Sequence, residues 1–358
     1  MGIQSIRIQN FKSIKDSGVV ELKPVNVLIG ANGAGKSNFI SFFKFLNKLY
    51  TKELQTYIIQ NGRADNFLFF GRKYSSFLSG TITFDNVYRN EYAFTLIPDQ
   101  SGSLIFQEEW TNTTQGDLVI ENTTRMESEL KTHGWHRSGY LRDNLNALKL
   151  FHFHDTGFNS KVKQPCNLRD YAYLQEDGGN LAAFLYRLQE ASPESFKMIE
   201  KVVESIAPFF EGFYLMPDEI NPEQIFLRWK EKGFDQLFTA HNLSDGTLRM
   251  ICLATLLLQP KPPATIVIDE PELGLHPFAI SKLAAMLQSV SDSSQIIIST
   301  QSVNLVNEFA PEDILVVQRE NNHETVFKRQ SEESLSVWLK DYSLGELWEK
   351  NILGGRPR

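Results

Sequence analysis

The stretch Gly30-Ala-Asn-Gly-Ala-Gly-Lys-Ser37 decides how this sequence folds. Glycine stands at its first, fourth and sixth positions, and Lys36 and Ser37 close it. Glycines let a chain bend until successive backbone N–H groups converge on one anion. A lysine and a hydroxyl at the end add a cation for phosphate oxygens and a ligand for Mg²⁺. The flanks agree with that reading. Val25–Ile29 before it is an apolar run suited to a buried central strand. Ser37–Leu49 after it is apolar at Phe39, Ile40, Phe42, Phe43, Phe45, Leu46 and Leu49, the pattern of a largely buried helix. A strand, a glycine turn and a helix whose N-terminal end favours anions form the setting that phosphate binding needs. A glycine turn with a fortuitous Lys-Ser would show no such flanks. Gly30, Ala31, Asn32, Gly33, Ala34, Gly35, Lys36, Ser37 and Asn38 are therefore expected to hold the phosphates of ATP. Lys36 would reach the β- and γ-phosphates, and Ser37 would ligate Mg²⁺.

A second apolar strand, Thr265-Ile-Val-Ile-Asp269-Glu270, ends in two acids. Carboxylates at the carboxyl end of a parallel strand face the crevice where ligands bind. Asp269 is expected to hold Mg²⁺ through water, and Glu270 to orient or deprotonate an attacking water. The competing reading is helix capping or plain solvation. Between the two motifs the chain changes character. From about Asn66 to Ile120, short alternating runs such as Gly80–Phe84 and Glu91–Ile97 argue antiparallel strands. From about Gly139 to Phe210 the pattern turns helical, most clearly at Asn180–Leu188 and Glu194–Ile206. Leu243–Leu258 reads as another apolar helix, and Gln295–Ser299 as a further buried strand. The strand-to-helix rhythm points to an α/β core split by an insertion.

Longer motifs extend these two. Asp269-Glu-Pro-Glu-Leu-Gly-Leu-His-Pro277 resembles the extended second motif of RecF-like ABC ATPases, including the ATPase modules of OLD proteins. Ile6-Arg-Ile-Gln-Asn-Phe-Lys-Ser-Ile14 resembles the first strand of RecF and SMC heads, where the Lys-Ser pair passes near the nucleotide. That makes Lys12 and Ser13 secondary contacts. Leu243-Ser244-Asp245-Gly246 resembles the ABC signature, which in the family caps the γ-phosphate of ATP held by a second subunit. Ser244 offers a hydroxyl, Gly246 allows close approach, and the helix through Leu258 presents its positive end. The competing reading is a helix N-cap, since Ser-Asp-Gly is also what capping favours. Thr300-Gln301-Ser302 follows a strand where the family carries a γ-phosphate switch, often histidine. Gln301 can donate to phosphate but cannot carry a proton as histidine can. His276 falls in the segment that crosses the dimer interface in ABC heads.

The resemblance implies an ABC-type phosphate-loop NTPase head of α/β class, with a mixed central sheet, an antiparallel β lobe and an inserted helical subdomain. The expected divisions are a split core at 1–50 and 237–330, a β lobe at 51–125, a mainly helical insertion at 126–236, and a C-terminal helix and tail at 331–358. It further implies ATP and Mg²⁺ as cofactors and an ATP-sandwiched homodimer or higher even-numbered assembly. A separate effector protein, as in phage-defence systems, is the expected partner, with nucleic acid as an alternative one. The chain carries no long coiled-coil arms and ends soon after the switch segment, which argues against a following nuclease domain like that of OLD proteins. A nucleotide-gated scaffold with little turnover and a RecF-like DNA repair factor remain the rival readings.

Composition narrows these choices. The 358 residues carry a formal charge of -7, which counts against autonomous DNA binding without excluding a local basic stripe. No run approaches the roughly 18 apolar residues of a membrane span, and the first ten residues lack a signal-peptide core, so a cytoplasmic protein is expected. Cys166 and Cys252 read as reduced packing residues. His133, His136, His152 and His154 with Asp155 lack the tight paired spacing of zinc sites, and Phe151-His-Phe-His154 alternates as a half-buried strand with its imidazoles outward. At the end of the chain, Leu335, Trp338, Leu339, Tyr342, Leu347 and Trp348 recur at helical spacing, fitting either core packing or a partner-binding face. Gly354-Gly-Arg-Pro-Arg358 reads as frayed.

Overall fold

The computed structural model describes residues 2–355 apart from 115, 117, 120–123, 133–138 and 321. The chain forms two compact units. The first comprises Met1–Leu150, Pro263–Val267 and Ser293–Arg358; the second comprises Phe151–Pro262 and Ile268–Asp292.

The first unit contains an antiparallel sheet and most of a mixed one, of which Phe151, Ile268 and Asp269 fall in the second unit. In the six-stranded sheet the order is Thr325–Arg329, Ile314–Arg319, Val25–Ile29, Gln295–Ser299, Thr265–Asp269 and Leu148–Phe151. Val25–Ile29 pairs in parallel with both of its neighbours, whereas Thr325–Arg329 returns antiparallel along one edge. Every residue of Val25–Ile29 and of Gln295–Ser299 is buried, as continuous apolar strands covered on both faces must be. The sheet is thus mixed, as expected for the fold class. The other sheet is antiparallel and seven-stranded: Ile3–Phe11 pairs with Leu78–Phe84, which continues through Glu91–Pro98 and Leu104–Asn112. Leu78–Phe84 buries every second residue, the period of a strand with one face in the core. The N-terminal strand therefore belongs to the antiparallel sheet.

Between these layers lies the helix Lys36–Tyr50, whose phenylalanines serve both. Phe42 meets Phe11 edge-on at 5.2 Å, and Phe45 lies 6.2 Å from Phe94 of the antiparallel sheet. Phe39 reaches Phe327 of the mixed sheet at 5.0 Å. Nine of its fifteen residues are buried, which holds the glycine loop at its N-terminus on a rigid mount.

The C-terminal segment forms three short pieces, Glu332–Leu335, Trp338–Lys340 and Leu344–Glu349. Leu335, Leu344 and Leu347 are buried. Leu344–Glu349 rests on the short helix Val303–Val306, with the Gly345 N–H donating to Asn307 Oδ1 at 2.7 Å.

The second unit is mainly helical. Leu181–Ala191, Pro193–Ile206, Asp245–Leu258 and Pro277–Val290 are its principal helices, joined by a small sheet of Phe210–Phe213, Arg228–Glu231 and Leu237–Thr239. Leu248 through Leu257 are buried without interruption, so Asp245–Leu258 is the central helix of this unit. It packs on Pro193–Ile206 and Pro277–Val290. Neither Cys166 nor Cys252 forms a disulfide. Among the described residues no helix is long and apolar enough to cross a membrane.

Candidate functional site

In the first unit, the glycine loop leaves Val25–Ile29 and enters Lys36–Tyr50 as the sequence implies. Gly30 and Gly35 hold φ of +154° and +116°, and both are crowded. A Cβ on Gly30 would strike the Val317 carbonyl oxygen, and one on Gly35 would strike the Thr325 side chain. Only glycine fits either place. Lys36 is 5% exposed, and its Nζ donates to the carbonyls of Gly30 at 2.6 Å and Ala31 at 3.2 Å. A buried ammonium is thereby fixed within the loop. Gly35, at the N-cap of the helix, supplies no capping side chain. The first helical N–H groups at Lys36, Ser37 and Asn38 are then positioned for an anion. A buried lysine, glycine-only backbone and an uncapped helix start fit a polyphosphate. The Ser37 hydroxyl, at the start of the same helix, is a hard oxygen donor of the kind Mg²⁺ takes.

Ser13 and Lys12 have different surroundings. Asn38 Nδ2 donates to Ser13 Oγ at 2.7 Å, Ser13 Oγ lies 2.8 Å from Thr325 Oγ1, and Thr325 Oγ1 donates to the Ala34 carbonyl at 3.0 Å. Ser13 is thus part of the loop's support. Lys12 adopts φ +50° and donates to Ser41 Oγ at 2.9 Å, with its ammonium 5.4 Å from the Phe11 ring centre. Burial, with Lys44 nearby, lowers the Lys12 pKa below its ordinary value. Thr325 is a residue that sequence reasoning missed. It is fully buried on an edge strand almost three hundred positions downstream of the loop, and no local motif marks it.

Two further segments of this unit approach the loop or its neighbours. Gln301 is exposed, between Thr300, whose N–H donates to Leu28 O at 2.9 Å, and Ser302, whose Oγ caps Val303–Val306. The end of the chain departs from the expectation of fraying: the Ala31 N–H donates to the Gly355 carbonyl at 2.6 Å, and Gly355 is buried. Leu353, 3% exposed, anchors the approach, and two glycines at φ +86° let the backbone close on the loop. Arg356 to Arg358 lie outside the described residues.

In the second unit, Asp269 ends its strand and Glu270 follows with φ +44°, a left-handed conformation uncommon outside glycine. The Asp269 carbonyl lies 2.7 Å from His154 Nε2. A carbonyl only accepts, so Nε2 carries the proton. His154 is thus turned toward this strand end and half-buried, and the strand containing Phe151 stops at that residue. Phe151 and Phe153 are buried and His152 and His154 half-buried, so the expected alternation of burial holds past the strand end, but the His154 ring is engaged by the Asp269 carbonyl instead of facing outward. His133 and His136 lie outside the described residues, and among those described no group of three or more ligating side chains could hold a metal. Ser244 caps its helix: Oγ accepts from the Thr247 N–H at 3.1 Å. Asp245 faces Lys163 at 3.3 Å, and Gly246 packs against Gly274. His276 caps the helix Pro277–Val290, accepting from the Phe278 N–H at 3.3 Å.

Residues 1–152 match the family described as "AAA ATPase domain", and residues 127–307 match "AAA domain, putative AbiEii toxin, Type IV TA system". The chain belongs to the AAA-domain ATPase family. Within it the resemblance is to the RecF, SMC and OLD-like ABC type. The Old nuclease of Escherichia phage P2 is 23% identical over 399 residues, covering 95% of this chain and 63% of that protein. The energy-coupling factor transporter ATP-binding protein EcfA of Methanocaldococcus jannaschii is 38% identical over 71 residues, 20% of this chain and 25% of its own. The chain thus spans about a quarter to somewhat under two-thirds of the length of these relatives. Among solved structures, an Smc head bound to the C-terminal winged-helix domain of ScpA covers 94% of this AAA-domain chain and 100% of its own, at 15% identity and a TM-score of 0.60. A Pyrococcus furiosus Smc head with an extended coiled coil, bound to the C-terminal domain of ScpA, gives a TM-score of 0.61 at 15% identity. These two carry the fold assignment: an ABC-type head with a mixed sheet and an antiparallel sheet.

Proposed function

We propose that this AAA-domain chain binds and hydrolyses ATP with Mg²⁺, and that two copies close head to tail over two nucleotides. The glycine loop with its buried Lys36 is the observation that carries the reading. In it, the loop amides and Lys36 bind and orient the triphosphate, and Ser37 and Asp269 would each offer an oxygen ligand to Mg²⁺. Bound Mg²⁺ would offset charge on the phosphate oxygens. Glu270 orients the attacking water and takes its proton, leaving phosphate and ADP. Gln301 donates a hydrogen bond toward the γ-phosphate. Lys12 and Ser13 act around the loop. Ser244, Asp245 and Gly246 cap the γ-phosphate held by the other copy.

The product of such a cycle is a change of assembly read by a separate effector protein. The family's description as a putative toxin of a toxin–antitoxin system supports a partnered role, and phage defence is the setting we propose for it. The Smc heads that share the fold are themselves bound to ScpA, which supports a protein partner. Gln301 favours one alternative, a nucleotide-gated scaffold with little turnover, because it cannot relay a proton.

Phosphate release and light-scattering mass, measured with and without Mg-ATP, test these readings. Wild type should turn over, Lys36→Ala should lose nucleotide binding, and Glu270→Gln should bind ATP, stop turnover and accumulate as an even-numbered assembly. ATP binding without saturable phosphate release would favour the scaffold. Absence of ATP binding by wild type would refute both.

A further inference from the structure

Arg249 is a buried cation to which the proposed cycle gives no task. It is 6% exposed, and among the described residues no carboxylate lies within ion-pair distance of it. Its partners are main-chain carbonyls: Nε donates to Phe153 O at 3.0 Å, and Nη2 donates to His154 O at 3.2 Å. Burial lowers its pKa below its ordinary value, against a smaller opposing pull from the Asp245 carboxylate. A charge held this way is unfavourable unless the fold needs the position fixed.

What it fixes is His154. The guanidinium sits on the central helix Asp245–Leu258, five residues beyond Ser244, and clasps the two carbonyls on either side of the His154 Cα. His154 then places its Nε2–H on the Asp269 carbonyl at 2.7 Å, while Nδ1 is buried without a hydrogen-bond partner. That carbonyl belongs to the peptide between Asp269 and Glu270, and rotation of this peptide changes φ of Glu270. Holding it stabilises the +44° conformation that a glutamate would otherwise leave. A second contact joins the same parts. Gly246, at the start of the central helix, lies so close to Gly274, just past Glu270, that a Cβ would be 2.6 Å from the Gly274 carbonyl oxygen. A Cβ on Gly274 would in turn lie 3.0 Å from Arg249 Nη1.

We propose that His154 and Arg249 are positioning residues that lock the Asp269–Glu270 peptide to the N-terminal half of the helix beginning at Ser244. Displacement of that helix then turns Glu270 in or out of register with its water. The inference rests on the ATPase reading for its catalytic consequence, but the lock itself can be measured without nucleotide.

The test uses the full chain carrying His154→Leu, which removes the donor, and His154→Gln, whose amide nitrogen can reach the same carbonyl. Arg249→Met serves as a third variant. Hydrogen exchange across residues 265–280 of the nucleotide-free protein reports the lock, and phosphate release with ATP affinity reports its consequence. His154→Leu should raise exchange in that segment and lower kcat by about tenfold or more, with ATP affinity within about twofold of wild type. His154→Gln should recover most of both, a rescue that a merely packing role would not give. Unchanged exchange in both His154→Leu and Arg249→Met overturns the inference whatever turnover does. Equal damage by Leu and Gln overturns it too. Altered exchange in a chain whose wild type shows no turnover would keep the lock and reject the ATPase reading.

Discussion

Replacing Thr325 by valine should weaken nucleotide binding without removing any residue that touches nucleotide. Thr325 is fully buried, and valine has nearly its shape, so packing is preserved. What is lost is one hydroxyl, which lies 3.0 Å from the Ala34 carbonyl and 2.8 Å from Ser13 Oγ. Ser13 keeps its bond from Asn38, so the main cost falls on the Ala34 carbonyl, left buried without that donor. An unsatisfied buried acceptor costs about 1–3 kcal/mol. That carbonyl belongs to the peptide leading into Gly35, and the N–H of a trans peptide points opposite its C=O. Pinning the oxygen toward Thr325 therefore aims the Gly35 N–H to the other side of the loop. If about 2 kcal/mol is expressed in loop geometry, ATP affinity falls roughly 30-fold, since each 1.4 kcal/mol is tenfold. Titration with a fluorescent ATP analogue against wild type, Thr325→Val and Thr325→Ser measures it. Serine restores the hydroxyl and should bind within about threefold of wild type. Wild-type affinity in the valine variant, or equal losses in both variants, would refute the reasoning.

Other consequences can be checked separately. Deleting residues 354–358 removes the acceptor of the Ala31 N–H, and ATP affinity should fall by about three- to tenfold; tighter binding would mean that Gly355 obstructs the loop. Ser244→Ala should lower stability by about 1 kcal/mol through loss of its helix cap, read by urea unfolding. Ser244→Arg should in addition block ATP-dependent assembly, whereas normal assembly would leave Ser244 a helix cap alone. Burial pushes the Cys252 thiol from 9.0 up to about 12. Below about pH 9 both folded and unfolded chains keep that proton; between 9 and 12 only the unfolded chain releases it, so this group's stabilising effect is lost as pH rises through that window. Mass spectrometry after iodoacetamide treatment at mildly alkaline pH should find Cys252 unmodified until urea unfolds the chain.

How much the sequence by itself determined follows from the range of the interactions involved. Gly30–Ser37 is self-sufficient: glycine spacing, the preceding apolar strand and the following phenylalanine-rich helix specify a loop of this shape within about twenty-five residues. The same holds for the Asp-Glu strand end and for the alternating segments of the antiparallel sheet, because strand and helix periods are local properties. The pairing of Ile3–Phe11 with the antiparallel sheet was not legible, since strand partners are chosen by long-range packing. Nor was Thr325, which meets Ala34 across 291 positions, or the bond from His154 to the Asp269 carbonyl, which spans 115. The final glycines read as fraying because composition carries no record of a buried neighbour, yet Gly355 closes on Ala31. Sequence thus named the groups suited to phosphate and metal. Tertiary structure alone decided which buried hydroxyl, imidazole and guanidinium hold their backbones in place, because those hydrogen bonds join residues that only folding brings together.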